Sequence, residues 1–513
     1  MKTSRSHLRS KGAATGPAVP KLAGRRLAAG VSSGAVLLAA LDAYVVVTIM
    51  VDIMSDLGIP IEHPERATPI VTAYLLGYVA AMPLLGQLSD RLGRVPVIQG
   101  CLLVFGLGSV LTAAAPSLPL LALGRLIQGA AGGALLPVTF AVISDHWEAR
   151  ARPVPLGLVG AAQELGSVLG PLYGAGVAAV IGWRGVFWIN VPLAAVAAVA
   201  VRRSLPKGEA NRKIKVDLGG GLLLAFGLAL ATVGLYNPDP ERAVLPPWGV
   251  PALVIAGLGL VGFFLWEKRS PHRLIDPAGL IVRPFTAALV CSFFAGVALM
   301  ATLVDIPLLA QTLLGEDSLG GALILSRFLV ALAAGALAGG VLTSRIGEKP
   351  VAVAGFLIAA TAFWLVSGWP PGIETARYQV GPLGIGRMGL DLVLAGFGLG
   401  IVIAPLASIA LRSSSPQQHG VVSASMVVTR MMGMLIGIAV LGAAGVHRFE
   451  QLTAGLVPPL PFGEDFGTEL QAYEEAVQAA LRTEYGEIFL ITSAVCLAGS
   501  IVALWLGPRS KEA

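Results

Sequence analysis

Three ionisable residues sit midway along apolar stretches that hold no other charge. Asp42 lies in GAVLLAALDAYVVVTIM, Glu164 in GLVGAAQELGSVLGPLYG and Arg430 in SASMVVTRMMGMLIGIAV. If these stretches cross a bilayer, each charge stands near the mid-plane. There a charge costs about 2.5–3.5 kcal/mol on insertion scales and is expected to face a bundle interior or an aqueous path. The chemistry open to two acids and one base at that depth is ion pairing and proton binding. Asp42 and Glu164 can each gain and lose a proton as access to water alternates, and Arg430 is a counter-charge for either. Helical stepping puts Gly157, Gly160, Ala161, Ser167 and Pro171 near Glu164. Small residues let a second helix approach closely, so that acid is expected on a seam sensitive to opening and closing. Asp305 and Arg327, at similar depth on consecutive runs, read as a structural ion pair.

The elements that must position these residues are membrane helices. The chain has 513 residues, 55% of them apolar and 13% charged, with a mean hydropathy of +0.78. Soluble domains carry about 25% charged residues, and half that cannot cover a water-soluble surface of this size. A cytosolic enzyme, a disordered chain and a small secreted scaffold are excluded. Cys101, Cys291 and Cys496 are far apart inside apolar runs, giving neither a disulfide framework nor metal spacing. His63, His146, His272 and His419 fall in or near connectors, and no Ser–His or His–acid cluster recurs within the runs, so catalysis is not expected.

Fourteen apolar runs follow one another between about residues 30 and 507. An even number puts both ends on one side. Residues 1–26 carry seven basic residues and no acid; residues 202–215 carry six bases against Glu209; the connector after the eighth run adds Lys268, Arg269, Arg273 and Arg283. All three segments share a side. The opposite side is acidic, with seven acids against Arg482 in 450–484. This charge map predicts an inner-membrane protein with both termini cytoplasmic, and it argues for a membrane flank rather than nucleic acid as the partner of the basic tail.

The runs divide into six, two and six. The expected organisation is a basic tail (1–29), a six-helix half (30–202), two linker spans with basic loops (203–283), a second six-helix half (284–507) and a short tail (508–513). Two six-helix halves suggest an internally repeated transporter with its site between them. No strong sequence repeat is evident, so this rests on counting. The run from 419 to 449 would make a helix about 45 Å long, against a hydrocarbon core of about 30 Å. Residues 466–484 also have helical spacing. A helical extension near 446–484, beyond the outer face, accounts for both.

Short motifs add a family. Residues Gly86 to Arg94 read GQLSDRLGR, which resembles the loop signature G-x-x-x-D-R-x-G-R of the major facilitator superfamily. Gly93 suits the turn. Asp90, Arg91 and Arg94 can cap and bridge, and Asp145 is a candidate partner. LALGRLIQGAAGG, with Arg125, Gln128 and Gly129, resembles the fourth-span signature. GSVLGPLYG, with Gly166, Gly170, Pro171 and Gly174, resembles the antiporter signature of the fifth span. LDAYVVVTIM and WRGVFWINVPL look like the fourteen-span drug:proton antiporters.

Further stretches in both halves (YLLGYVAAMPLLG, LYNP, RLIDPAG, MLIGIAVLG) resemble mycobacterial exporters that work with a periplasmic lipid-binding lipoprotein, described both as multidrug pumps and as triacylglyceride exporters. The resemblance implies an all-α major facilitator fold of two six-helix halves and two extra central spans. It implies export of lipid toward that lipoprotein, with Asp42, Glu164 and Arg430 coupling transport to protons, and Gly86, Asp90, Arg91, Gly93, Arg94 and Asp145 forming a cytoplasmic latch. No P-loop is present, so no cofactor is expected beyond a proton gradient. The alternative is a polyspecific drug:proton antiporter.

Overall fold

The computed structural model describes residues 22–60, 64–67, 69–205, 216–235, 245–271, 273–274, 276–316, 318–380, 383–457 and 466–507. The tail residues Lys2, Arg5, Arg9, Lys11 and Lys21, the loop residues Lys207 to Lys215, most of LYNP, and His63 and His272 lie outside the described residues.

Runs of Leu, Val, Ala and Gly satisfy their backbone groups internally as helices, the form lipid permits. They are α1 (Leu22–Asp56), α2 (Pro69–Leu92), α3 (Arg94–Ala113) and α4 (Leu118–His146), followed by a helical stretch of 52 residues, Pro153–Ser204. At about 1.5 Å per residue that stretch would reach about 78 Å, more than twice the thickness of the hydrocarbon core. It turns at Gly182, whose φ of 75° suits a residue without Cβ, and therefore crosses twice, as α5 (153–181) and α6 (183–204). Then come α7 (Leu218–Leu235), α8 (Gly249–Arg269), α9 (Val282–Leu313), α10 (Ser318–Ile346), α11 (Glu348–Ser367), α12 (Arg387–Arg412), α13 (His419–Thr453) and α14 (Phe466–Ala503). Among the described residues this makes fourteen crossings.

Arg91, Arg94, Arg202, Arg203, Lys268, Arg269 and Arg283 gather at one end of the bundle. Asp52, Asp56, Glu450, Glu469, Glu474 and Glu475 gather at the other. We call these the basic and acidic ends. α13 has 35 residues and α14 has 38, about 52 and 57 Å, so both exceed the span they need. Arg448 of α13 holds Glu487 of α14 at 2.9–3.0 Å. An antiparallel hairpin not anticipated from the sequence, β1 (Arg377–Val380) with β2 (Leu383–Gly386), joins α11 to α12 at the acidic end.

The halves do contain a repeat. The α2–α3 turn reads G-Q-L-S-D-R-L-G-R-V-P from Gly86, and the α10–α11 turn reads G-V-L-T-S-R-I-G-E-K-P from Gly340. The two turns match in conformation: Gly93 has φ 92° and Gly347 has φ 94°. Their charges are exchanged. Arg94 donates to Asp145 at the end of α4 (2.8 Å), whereas Glu348 pairs with Arg412 at the end of α12 (3.3 Å).

Lipid gives helices no hydrophobic reason to associate, so close packing of small residues does that work. Gly166, Gly170 and Gly174 form one ridge of α5 against the α1 backbone from Ala40 to Thr48; a Cβ on Gly170 would stand 2.9 Å from the Leu41 carbonyl. The antiporter signature therefore acts here as a helix–helix seam. Between halves, Gly86 meets Gly420, and Gly157 meets Ala336 and Gly340. α7 and α8 pack on each other, and α7 packs on α2, where the Asp217 N–H donates to Gln87 (2.9 Å).

Candidate functional site

A cavity lies between the halves. Apolar side chains, among them Phe140, Leu299, Leu332, Met426 and Met434, form most of its wall; Tyr44, Gln163, Glu164 and Arg430 supply its polar groups. The hydrogen bonds described between the halves lie at the cavity or toward the basic end. Gly86–Gly420 and Gly157–Gly340 close that end as well.

Glu164 of α5 and Arg430 of α13 form an ion pair across the halves, in the cavity wall. Gly160 sits one turn from Glu164 against Ile403, and Gly296 of α9 lies against the Arg430 backbone. Ser167 donates to the Glu164 carbonyl at 2.6 Å. Tyr44 and Tyr78 stand within electrostatic range of the pair, and Tyr78 bonds Gln163.

Asp42 has a different partner. Its carboxylate pairs with Arg125 of α4 (2.7 Å) and accepts from Asn190 of α6 (2.6 Å) and Gln128 (3.2 Å). Arg125 also donates to the Asp42 carbonyl (3.2 Å) and lies over the Tyr74 ring (4.2 Å to its centroid). Gln128 is held by Ser109 and Thr112 of α3 (2.8 and 3.0 Å). Asp42 and Arg125 are each 1% exposed. This cluster lies inside the first half, and Asp42 does not line the cavity. The expectation that Arg430 serves either acid resolves to Glu164 alone in this conformation. The fourth-span signature supplies the other counter-charge, while Gly129 packs against the Tyr74 backbone. A balance of mid-span charges, two acids against Arg125 and Arg430, was the signal for it.

The latch motif joins the halves at the basic end. Asp90 accepts from the N–H groups of Gly420 (3.0 Å) and Val421 (3.3 Å), the first turn of α13, where the helix dipole favours an anion. Arg94 pairs with Asp90 and with Asp145, and donates to Ser89 (2.8 Å). Asp145 in turn meets His419 of α13 at 3.0 Å, and the other ring nitrogen lies 3.4 Å from Ser144. Arg91 is exposed. Sequence reasoning singled out neither His419 as a bridging group nor the α13 N-terminus as the target of Asp90.

Asp305 and Arg327 form no ion pair among the described residues, which corrects the expectation of a bridge. Equal depth does not fix the direction a side chain faces. Asp305 is buried on the side of α9 that meets α14, within range of Glu484. Arg327 lies beside Gly389 of α12.

A further network fastens the hairpin. Asp391 of α12, fully buried, accepts from Trp369 Nε1 (2.8 Å) and the Tyr378 hydroxyl (3.1 Å). Burial, with the adjoining carboxylate, holds the Tyr378 phenol above its ordinary value, so it remains a donor.

A family profile described as Major Facilitator Superfamily matches residues 33–438. A triacylglyceride transporter of Mycolicibacterium hassiacum is 48% identical over 505 residues, covering 96% of this chain and 94% of that one. The triacylglyceride transporter of Mycobacterium tuberculosis strain H37Rv is 50% identical over 498 residues, covering 96% of each. Among solved structures, the fucose:proton symporter of E. coli aligns with a TM-score of 0.59 at 14% identity, over 94% of this chain and 98% of that one. A human organic anion transporter aligns at 0.57 and 18%, over 92% and 99%. At these identities the structural likeness speaks for the fold alone.

Proposed function

The chain belongs to the major facilitator superfamily, and from that premise we propose that it is a proton-coupled exporter of lipid, with triacylglyceride as its cargo. It is a multi-pass membrane transporter and not an enzyme; cargo, coupling and direction are the proposed steps. The cargo is supported by mycobacterial triacylglyceride transporters that match nearly the whole chain at about half identity. The observation that carries the coupling is the Glu164–Arg430 pair, an ion pair between two halves set in a mostly apolar cavity.

The cycle runs on that pair. With Glu164 ionised, its attraction to Arg430 holds α5 to α13. A proton from the acidic end neutralises Glu164, frees Arg430 and lowers the cost of separating the halves. Rocking then opens the basic end, which we take as cytoplasmic because Lys and Arg concentrate there. Lipid enters the cavity among Leu and Met side chains, and Glu164 releases its proton on that side. Asp42 is the second proposed proton site. Its exchange requires α1 to draw away from α4, because Arg125, Asn190 and Gln128 enclose it here. Asp90, Arg94 and Asp145 restore the closed basic end.

On the acidic side the overlong α13 and α14 project toward the proposed acceptor, a periplasmic lipid-binding lipoprotein. A gradient suffices as the energy source, since about 2.3 kcal/mol is available per charge per 100 mV. The competing reading, a polyspecific drug:proton antiporter, is favoured by Met426, Met431 and Met434 in the cavity wall, because Met adapts to varied apolar shapes.

The test is flux of fluorescent triacylglyceride by purified protein in liposomes, with and without an imposed pH difference. Flux should rise when the acidic end faces the lower pH, and Glu164→Gln should make it indifferent to the gradient. Wild-type lipid flux that ignores the gradient would remove the proton coupling. Drug flux without lipid flux would remove the cargo.

A further inference from the structure

We propose a further proton-binding site, in the second half: Asp305 of α9 and Glu484 of α14, two facing acids with no counter-charge, retain one proton between them, and its loss loosens the acidic end of α14. Val297 and Ala301 of α9, Leu441 of α13 and Ile488 of α14 form an apolar cluster where the three helices meet. One helical turn nearer the acidic end, at positions four residues away that share the same helix faces, the seam presents Asp305, Gly445 and Glu484. Gly445 makes the room. A Cβ there would stand 2.7 Å from Glu484 Oε1 and 3.0 Å from Ile488. Asp305 is 8% exposed, and Glu484 is half-buried. The two lie within electrostatic range, and neither side chain has a hydrogen bond or ion pair among the described residues.

The charged groups of the surrounding helices are engaged elsewhere or face away. On α13, Arg430 pairs with Glu164, Arg448 pairs with Glu487, and His447 is exposed and bonds Gln451 (2.9 Å). On α14, Arg482 faces the end of α11, on the side away from Glu484, and the Tyr485 hydroxyl is taken by Thr312 (3.1 Å). Arg327 of α10 lies beside Gly389, and Arg387 of α12 donates to the Gly368 carbonyl (3.1 Å) next to Asp391. Two carboxylates in an apolar seam resist ionising together, because each charge is desolvated and repels the other. Glu484 stands where α14 passes from the charged stretch 466–484 into the apolar stretch 485–503, so it opens toward water at the acidic end and Asp305 lies behind it. Loss of the retained proton leaves two anions across the α9–α14 contact, at the turn where α14 enters the bundle. The pair lies within one half, so it responds without rocking and stands whether or not Glu164 couples transport or lipid is the cargo.

The test uses the full chain in nanodiscs and two readouts. Infrared spectra in heavy water resolve the carbonyl band of protonated carboxyl groups. Wild type minus Asp305→Asn at neutral pH should show that band, and it should vanish as the pH rises. In the Glu484→Gln background the same difference should vanish about one pH unit lower, because the neighbouring anion is gone. Hydrogen exchange in 470–484, corrected for intrinsic rate, should speed up about tenfold as the pair loses its proton, and less than about twofold in Asp305→Asn, which mimics the protonated acid. Exchange in 485–503 should stay slow in both. Absence of the band, a midpoint unmoved by Glu484→Gln, or equal pH response of exchange in wild type and Asp305→Asn would each overturn the proposal.

Discussion

Replacing Asp90 with Asn tests whether one carboxylate holds the basic end shut. The side chain keeps its size and one oxygen acceptor but loses its charge. In the closed form Asp90 accepts two N–H groups of α13, at 3.0 and 3.3 Å. Hydrogen bonds to a charged group contribute about 1.5–3 kcal/mol and neutral ones about 0.5–1.5, so each weakens by about 1 kcal/mol. When the end opens, these contacts are lost in either variant, so the difference appears in the equilibrium. A loss of about 2 kcal/mol lowers the closed-to-open ratio about 30-fold. Arg94 keeps Asp145 as a partner, which limits collateral damage. Spin labels at Glu148→Cys and Ile346→Cys, exposed positions at the basic ends of the two halves, report the distance by pulsed electron resonance. The three native cysteines are buried and escape labelling. A closed-to-open ratio unchanged within twofold would refute the account of Asp90 as the cross-half cap.

Other substitutions separate holding the halves together from holding each half up. Gly86→Val places branched carbon where a Cβ alone would stand 2.7 Å from the Gly420 carbonyl; the same spin-label pair should move to longer distances. Asp42→Asn strands Arg125 in the interior, and uncompensated buried charges cost about 3–5 kcal/mol; the melting temperature in detergent should fall, and adding Arg125→Gln should recover part of the loss. Glu348→Gln with Arg412→Gln breaks a pair that lies wholly within the second half; it should lower the melting temperature while leaving the closed-to-open ratio within about twofold. Asp391→Asn weakens the acceptor of Trp369 and Tyr378; hydrogen exchange in 377–386 should speed up while exchange in α11 stays slow.

The crossings were legible because apolar runs and basic connectors are properties of the chain alone. The positions of Glu164, Arg430 and Asp90 along their helices followed in the same way. What the sequence left open was azimuth. Asp42 could face α13 or α4 from the same depth, and the choice is made by Gly166, Gly170 and Gly174, which bring α5 against one side of α1 and leave the other toward α4 and α6. Asp305 and Arg327 match in depth and are opposite in charge, yet packing turns one toward α14 and the other toward α12. The hairpin 377–386 escaped notice because strands this short carry little periodic signal. The stretch from Pro64 to Ala67 and the linker pair α7–α8 hold little that sequence could turn into chemistry.

The repeated turns explain why the closing device sits on one side of the pseudo-symmetric molecule. Both turns use a glycine with φ near 90° and a following charged residue that ties the end of α4 or of α12. These pairs lie within a half and so survive rocking. The difference lies four residues earlier. At that position the first half has Asp90 and the second has Ser344. The helix facing Asp90, α13, offers the N–H groups of its second and third residues, Gly420 and Val421; the helix facing Gly340, α5, begins Pro153-Val154-Pro155, so its third residue has no N–H. An anion at position 344 would find one fewer donor than Asp90 does. The duplicated geometry supplies two hinged turns, and a single carboxylate facing an uncapped helix start makes one of them a lock.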